Sequence, residues 1–237
     1  MKRWFILAVA LFASAVPAFA SSDMKAAPQT ALEWGDAMTD AFRSSFLGAK
    51  SLTASVDASD QGLGEGHASK VYLGVKGYSI DNVVYDDLMI ELRDVTFSAN
   101  GSSLLIKSIG GGSLTGRISR EGFVAKVGRD FPRLSVNKSM FTEHTIGLWG
   151  VYSRKAMIPL RATVHMDGNY EVQNGCGALK ITSATCDNGL VSADAVAKAT
   201  VKAAPRISFE HLVVPMAVQS VSLADDSIKV RAATGLK

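Results

Sequence analysis

Cysteine, histidine and a surplus of either charge are what this chain has least of, and each shortage closes off a class of function. The four histidines, His67, His144, His165 and His211, stand singly. They form no His-Glu-x-x-His pair, and neither cysteine has a histidine beside it, so the ligand spacing of a metal site is missing. No Gly-x-Ser-x-Gly turn exists to expose a nucleophilic serine. Ser135-Val-Asn-Lys138 matches Ser-x-x-Lys, but the Lys-Thr-Gly element that accompanies that signature is absent, so Ser135 and Lys138 read as polar positions around a strand. The sequence therefore predicts a protein with no catalytic residue, no metal and no cofactor. Charge is close to balanced, with 25 basic and 22 acidic residues. A protein that grips nucleic acid through its phosphates carries a basic excess or stripe, so nucleic acid is excluded as the expected partner.

Long hydrophobic runs are also scarce, apart from one at the start. Lys2 and Arg3 precede an apolar stretch from Trp4 to Ala15, and Ala18-Phe19-Ala20 supplies small residues at cleavage spacing. The run is too short for a comfortable membrane span, and no later run approaches the ~18 apolar residues that a span needs. These features predict a signal peptide over 1–20, cut near Ala20. The mature protein would start at Ser21, exported and soluble in the periplasm or outside the cell. With Lys2 and Arg3 removed, 23 basic residues face 22 acidic ones, so the mature chain is nearly neutral. A polar leader over 21–28 and a single domain over 29–237 follow.

Only two cysteines remain to use an oxidising compartment, and two outcomes stay open for them. A disulfide between Cys176 and Cys186 would close a small loop worth on the order of 3 kcal/mol. The intervening Ala178 to Ser183 reads as a strand, however. Ten residues of strand span roughly 33 Å, against the ~7 Å between Cα atoms that a disulfide tolerates.

What is present is a long alternation of apolar and polar residues with a few helical interludes. Leu32, Met38, Phe42 and Phe46 fall near one face of a helix that Gly48 can end. Period-two patterning begins at Leu52. Leu88, Ile90 and Leu92 continue into Val95 and Phe97 one residue out of phase, which predicts a bulge near Arg93 and Asp94. Asn100-Gly101, Asp167-Gly168, Asn174-Gly175 and Asn188-Gly189 signal turns. Gly110 to Gly112 lacks the Lys-Ser/Thr of a phosphate loop and predicts a kink or bulge instead. Ser119 can cap a short helix bearing Glu121, Phe123, Val124 and Val127. Ser192 opens an Ala-rich helix that Pro205 stops. Strands return through Val213-Val214, Val218 to Val221 and Ile228 to Val230. Helices are too rare between strands for a parallel sheet, so the expected class is α+β with antiparallel strands.

From about Val71 to Ala233 the chain resembles the LmeA family of secreted phospholipid-binding proteins. The resemblance lies in Asp87-Leu-Met-Ile-Glu-Leu-Arg-Asp-Val95 and in Gly112-Ser-Leu-Thr-Gly-Arg-Ile-Ser-Arg-Glu-Gly-Phe123. It continues through the strands around Asp167-Gly168, through Asn188-Gly-Leu-Val-Ser192, and through the strands from Val213 to Ala232. It implies half of a tubular lipid-binding fold, in which a long, curved, mainly antiparallel sheet wraps an N-terminal helix and two further helices complete the domain. The function it implies is binding or transfer of phospholipid or another acyl lipid in the cell envelope, with transient membrane-surface contact. Burying a sixteen-carbon chain is worth roughly 13 kcal/mol at ~0.8 per methylene, so such a carrier needs an apolar groove and no catalytic group. Candidate groove residues are Met38, Phe42, Phe46, Phe123, Phe141, Trp149 and Met157, whose side chains offer broad, adaptable contact. The sequence shows no Arg or Lys cluster to grip a phosphate, which points to selection by acyl chain. The competing expectation is an envelope assembly module that uses the same fold to bind a protein partner.

Overall fold

The chain is described by a computed structural model covering residues 28–101, 103–155 and 159–235. The expected signal peptide, its cleavage at Ala20, the Ser21 start and Met157 lie outside these residues.

The first helix, α1 (Ala31–Phe42), is opened by a reciprocal cap. Glu33 N–H donates to Thr30 Oγ1 at 3.2 Å, while Glu33 Oε2 accepts from the backbone N–H of Gln29 at 2.7 Å and of Thr30 at 3.1 Å. Two donors that would otherwise be orphaned at the helix start are thereby satisfied. A 3-10 turn over Arg43–Phe46 continues the chain, and Gly48, with φ of +86°, ends it as expected. The buried face is Trp34, Gly35, Ala37, Met38 and Phe42. Leu32, placed on that face by its spacing, is 76 % exposed, because Trp34 takes the inward position and packs against Phe97.

Two antiparallel sheets form, where one long sheet was expected. The six-stranded sheet contains β1 (Ser51–Asp57), β2 (His67–Ile80), β3 (Val83–Asn100), β4 (Ser103–Ser119), β9 (Ala217–Ala224) and β10 (Ser227–Ala233), in the order β1-β2-β3-β4-β10-β9. The four-stranded sheet is a meander of β5 (Leu134–Phe141), β6 (Ile146–Arg154), β7 (Leu160–Gln173) and β8 (Cys176–Cys186). A one-turn helix, α2 (Asp60–Gly64), lies between β1 and β2. The expected Ser119-capped helix, α3 (Arg120–Asp130), carries the chain out of the first sheet. The expected Ala-rich helix, α4 (Ala193–Ala203), lies between the second sheet and the return to β9 and β10. Ser119 and Ser192 cap these helices through Gly122 and Ala195 N–H, both at 3.2 Å. α1 packs against β1 and β4 of the larger sheet. One apolar cluster runs through both sheets and the helices, with Phe123 edge-on to Phe141 and Tyr85 beside Phe209.

Several turns depart from expectation. Asp167-Gly168 makes no turn: β7 runs through it, and burial alternates without a break from Ala162 through Val164, Met166 and Gly168 to Tyr170. A glycine is required there because a Cβ would stand 2.5 Å from the Lys180 carbonyl oxygen of the neighbouring strand. The β2–β3 hairpin turns instead at Asp81 and Asn82, both with positive φ, without the glycine that usually marks such a turn. Asn174 and Gly175 form the expected turn of the same kind. The apolar phase slips as predicted around Asp94, whose φ is +52°, and the pairing register with β4 shifts between Thr96 and Phe97. No register shift falls at Gly110 to Gly112; a Cβ on Gly112 would stand 2.7 Å from the Glu91 carbonyl oxygen, so close approach is the constraint. Val213 and Val214 precede β9 in irregular chain and form no strand.

Candidate functional site: the groove between α4 and β8

Strand β8 is an outer strand of its sheet. At its start Gly177 exchanges backbone hydrogen bonds with Ile207, at 2.9 Å each way. Beyond that bridge α4 lies alongside the strand. The chain runs up β8, turns at Asn188-Gly189, and descends through α4 to reach Ile207, so α4 is antiparallel to β8. Lys202 therefore sits at the Gly177 end and Asp194 at the Cys186 end.

Between helix and strand is an open groove of about 740 Å³, within the ~300–1,000 Å³ of ordinary small-ligand sites. Its apolar lining is Ala178, Ile181 and Ala184 of β8 and Val201 of α4, with the buried Leu179 and Ala197 beneath them. From Ala178 to Ala184 the strand runs about 20 Å, which makes the groove long and narrow. On α4 the residues Asp194, Lys198 and Lys202 recur every four positions beside Ala197 and Val201, so one stripe of the helix faces the groove.

Local irregularity shapes the strand wall. Asp167 pairs with Ser183 and Gly168 with Ile181, leaving Thr182 as the extra residue of a bulge. Thr182 Oγ1 donates to the Asp167 carbonyl at 3.1 Å and Ser183 Oγ to Asp167 Oδ2 at 3.0 Å, fixing that bulge. Gly168 lets β8 settle close enough for this pairing. Lys180 donates to Glu171 Oε1 at 2.8 Å, and that ammonium holds the Glu171 carboxyl below the usual carboxylate range. Neither Lys198 nor Lys202 pairs with a carboxylate among the described residues.

The six described candidate groove residues read from the sequence lie elsewhere. Met38, Phe42, Phe46, Phe123 and Phe141 are at most 4 % exposed and belong to the apolar cluster. An aspartate at Phe42 or Phe46 would bury a charge in the core, so it tests folding and not lipid contact. Trp149 is part-exposed on the second sheet. It stacks on His165 with ring centroids 4.5 Å apart and planes 11° from parallel, and the Lys138 ammonium stands 4.9 Å from its ring centroid. His165 Nε2 lies 3.2 Å from Asp167 Oδ1 but out of line for a hydrogen bond. None of these six residues lines the α4–β8 groove. The sequence signal for the groove was the stripe Asp194, Ala197, Lys198, Val201 and Lys202, visible only once α4 is read for its polar face as well as its apolar one.

Cys176 and Cys186 occupy opposite ends of the 11-residue strand β8, and both are free thiols. The extended strand thus forms, and the disulfide does not. Among the described residues no group of three His, Cys, Asp or Glu side chains gathers as a metal site would require, and no helix is long and apolar enough to cross a membrane. Comparison with protein families, curated proteins and solved structures finds no match for this chain.

Proposed function

We propose that this protein is an extracytoplasmic lipid-binding or lipid-transfer protein that holds an acyl chain in the groove between α4 and β8. The observation that carries the proposal is a long, open, apolar-floored groove beside an outer strand. Its shape suits an extended hydrocarbon chain. The signal-like N-terminus and the LmeA-like pattern support the same reading. An open groove shields one side of a chain, so it would recover roughly half of the ~13 kcal/mol available from full burial. Binding of that strength is reversible, as transfer between membranes requires. Addition of a partner strand to β8 is disfavoured, because Lys180, the Thr182 bulge and α4 together block that edge.

Mass spectrometry of lipids extracted from the purified mature protein tests the proposal. Acyl lipid should accompany the wild-type protein. Val201→Asp, which puts a carboxylate on the apolar stripe of α4 at an exposed and structurally tolerant position, should lower the retained amount about tenfold, equivalent to ~1.4 kcal/mol. Protein that carries no lipid and takes none up from vesicles would overturn the proposal.

A further inference from the structure

We infer that the occupant of this groove is a single-chain anionic amphiphile, a long-chain fatty acid, bound with its carboxylate at the Lys202 end and its chain directed toward Asp194. The inference rests on the lipid-binding reading above and specifies the ligand. Three observations carry it. First, the groove is polar along its length: Lys202 and the mutually paired Lys180 and Glu171 line the Gly177 end, where Ile207 ties α4 back to β8, Lys198 stands one turn further along α4, and Asp194 lines the opposite end. Lys180 and Glu171 offset one another, so the surplus positive charge of Lys198 and Lys202 against Asp194 at the far end sets a direction. Second, Lys198 and Lys202 stand one helical turn apart, ~5–6 Å along the same row, and neither is neutralised by a carboxylate among the described residues. Two such ammonium groups can share the two oxygens of one carboxylate. Third, the apolar surface is a single file between one strand and one helix stripe. A second acyl chain would remain in water and forfeit ~0.8 kcal/mol for every methylene left exposed. The lining also ends at Glu171, Gln173 and Lys202, so no wall extends around a bulkier headgroup.

The test is calorimetric titration of the delipidated mature protein with laurate, lauryl alcohol, lauroyl lysophosphatidylglycerol and dilauroyl phosphatidylglycerol, each below its aggregation concentration. Laurate should bind one per protein and about tenfold more tightly than the alcohol, a difference of ~1.4 kcal/mol. In the double variant Lys198→Gln, Lys202→Gln, laurate should fall to the level of the alcohol while alcohol binding is unchanged. Both lysines are exposed, so the fold should be retained, as circular dichroism would verify. Lys229→Gln on the other sheet should leave the ratio intact. Equal binding of laurate and alcohol, or a preference that survives the double variant, would overturn the role of the lysines. Tighter binding of either phosphatidylglycerol would overturn the single-chain carboxylate and leave the lipid-binding reading standing. Failure of all four ligands, with no lipid recovered on purification, would remove both and return the groove to the protein-partner alternative.

Discussion

Tyr170 and Tyr85 show how single residues tie the two sheets into one core. Tyr170, on β7, donates its hydroxyl hydrogen bond to the Pro205 carbonyl at 2.8 Å, just beyond the end of α4. Burial pushes its phenol well above the usual tyrosine range, with Tyr85 adding to the shift; burial, then Asp81, does the same to Tyr85. The fold favours the protonated form of both. Their contribution to stability is complete below the unfolded tyrosine pKa of ~10 and is lost as pH rises from there, because the unfolded chain ionises first. Tyr170→Phe should cost about 1–3 kcal/mol at neutral pH by leaving a buried carbonyl without its donor. It should also make the alkaline loss of stability less steep. Denaturant melts of both proteins at neutral pH and above pH ~10 check the two effects together.

At the scale of elements, β8 carries the groove and both cysteines, and its position depends on the strand beside it. Gly168→Ala would place a methyl group 2.5 Å from the Lys180 carbonyl oxygen. The backbone of β8 would have to move, at about 1–3 kcal/mol, and the groove wall would move with it, so lipid retention should fall. Gly189→Ala, where a Cβ meets nothing within 4 Å, should change stability by no more than ~0.5 kcal/mol and leave retention intact. Thermal melts with lipid extraction separate the two variants. The cysteines give a second check on β8 as an extended strand. Unfolding in alkylating denaturant should label two thiols per chain without reductant. In the native protein the part-exposed Cys186 should react before the buried Cys176. Even Cys186 should react slowly, since burial and then the neighbouring Asp187 push its thiol up and keep it protonated.

For the whole molecule, acid should be the destabilising direction below the carboxylate range. Glu33 is held low first by the Gln29 N–H, Asp130 by Lys126, Glu171 by Lys180, Asp187 by Thr163 and Asp226 by Ser227. Groups depressed in the folded state contribute stability that is present above their unfolded values of ~4 and lost as pH falls through the folded ones. The melting temperature should therefore hold steady from neutral pH to about 5 and decline below about 4. Because these carboxylates are exposed, raised salt should shrink the effect, which a second series of melts would show.

Local chemistry settled much of this protein within the sequence itself. The three longer helices, the serine caps of the last two, the hairpins at Asn100-Gly101 and Asn174-Gly175, the phase slip at Asp94 and the antiparallel α+β class all follow from short-range spacing, because caps and turns are made by residues a few positions apart. Asp167-Gly168 looked like a turn by the same logic and is not one, since a glycine demanded by a neighbouring strand has the same letter as a glycine demanded by a turn. Met38, Phe42, Phe46, Phe123 and Phe141, expected to line a lipid wall, lie in the core, since interior and ligand-lining surface are both apolar and no local rule divides them. The split into two sheets and the joining of β10 and β9 to β4 of the larger one were decided by long-range pairing. So was the site: Lys180 lies 18 residues before Lys198, and only the antiparallel return of α4 along β8 brings those charges to one apolar groove.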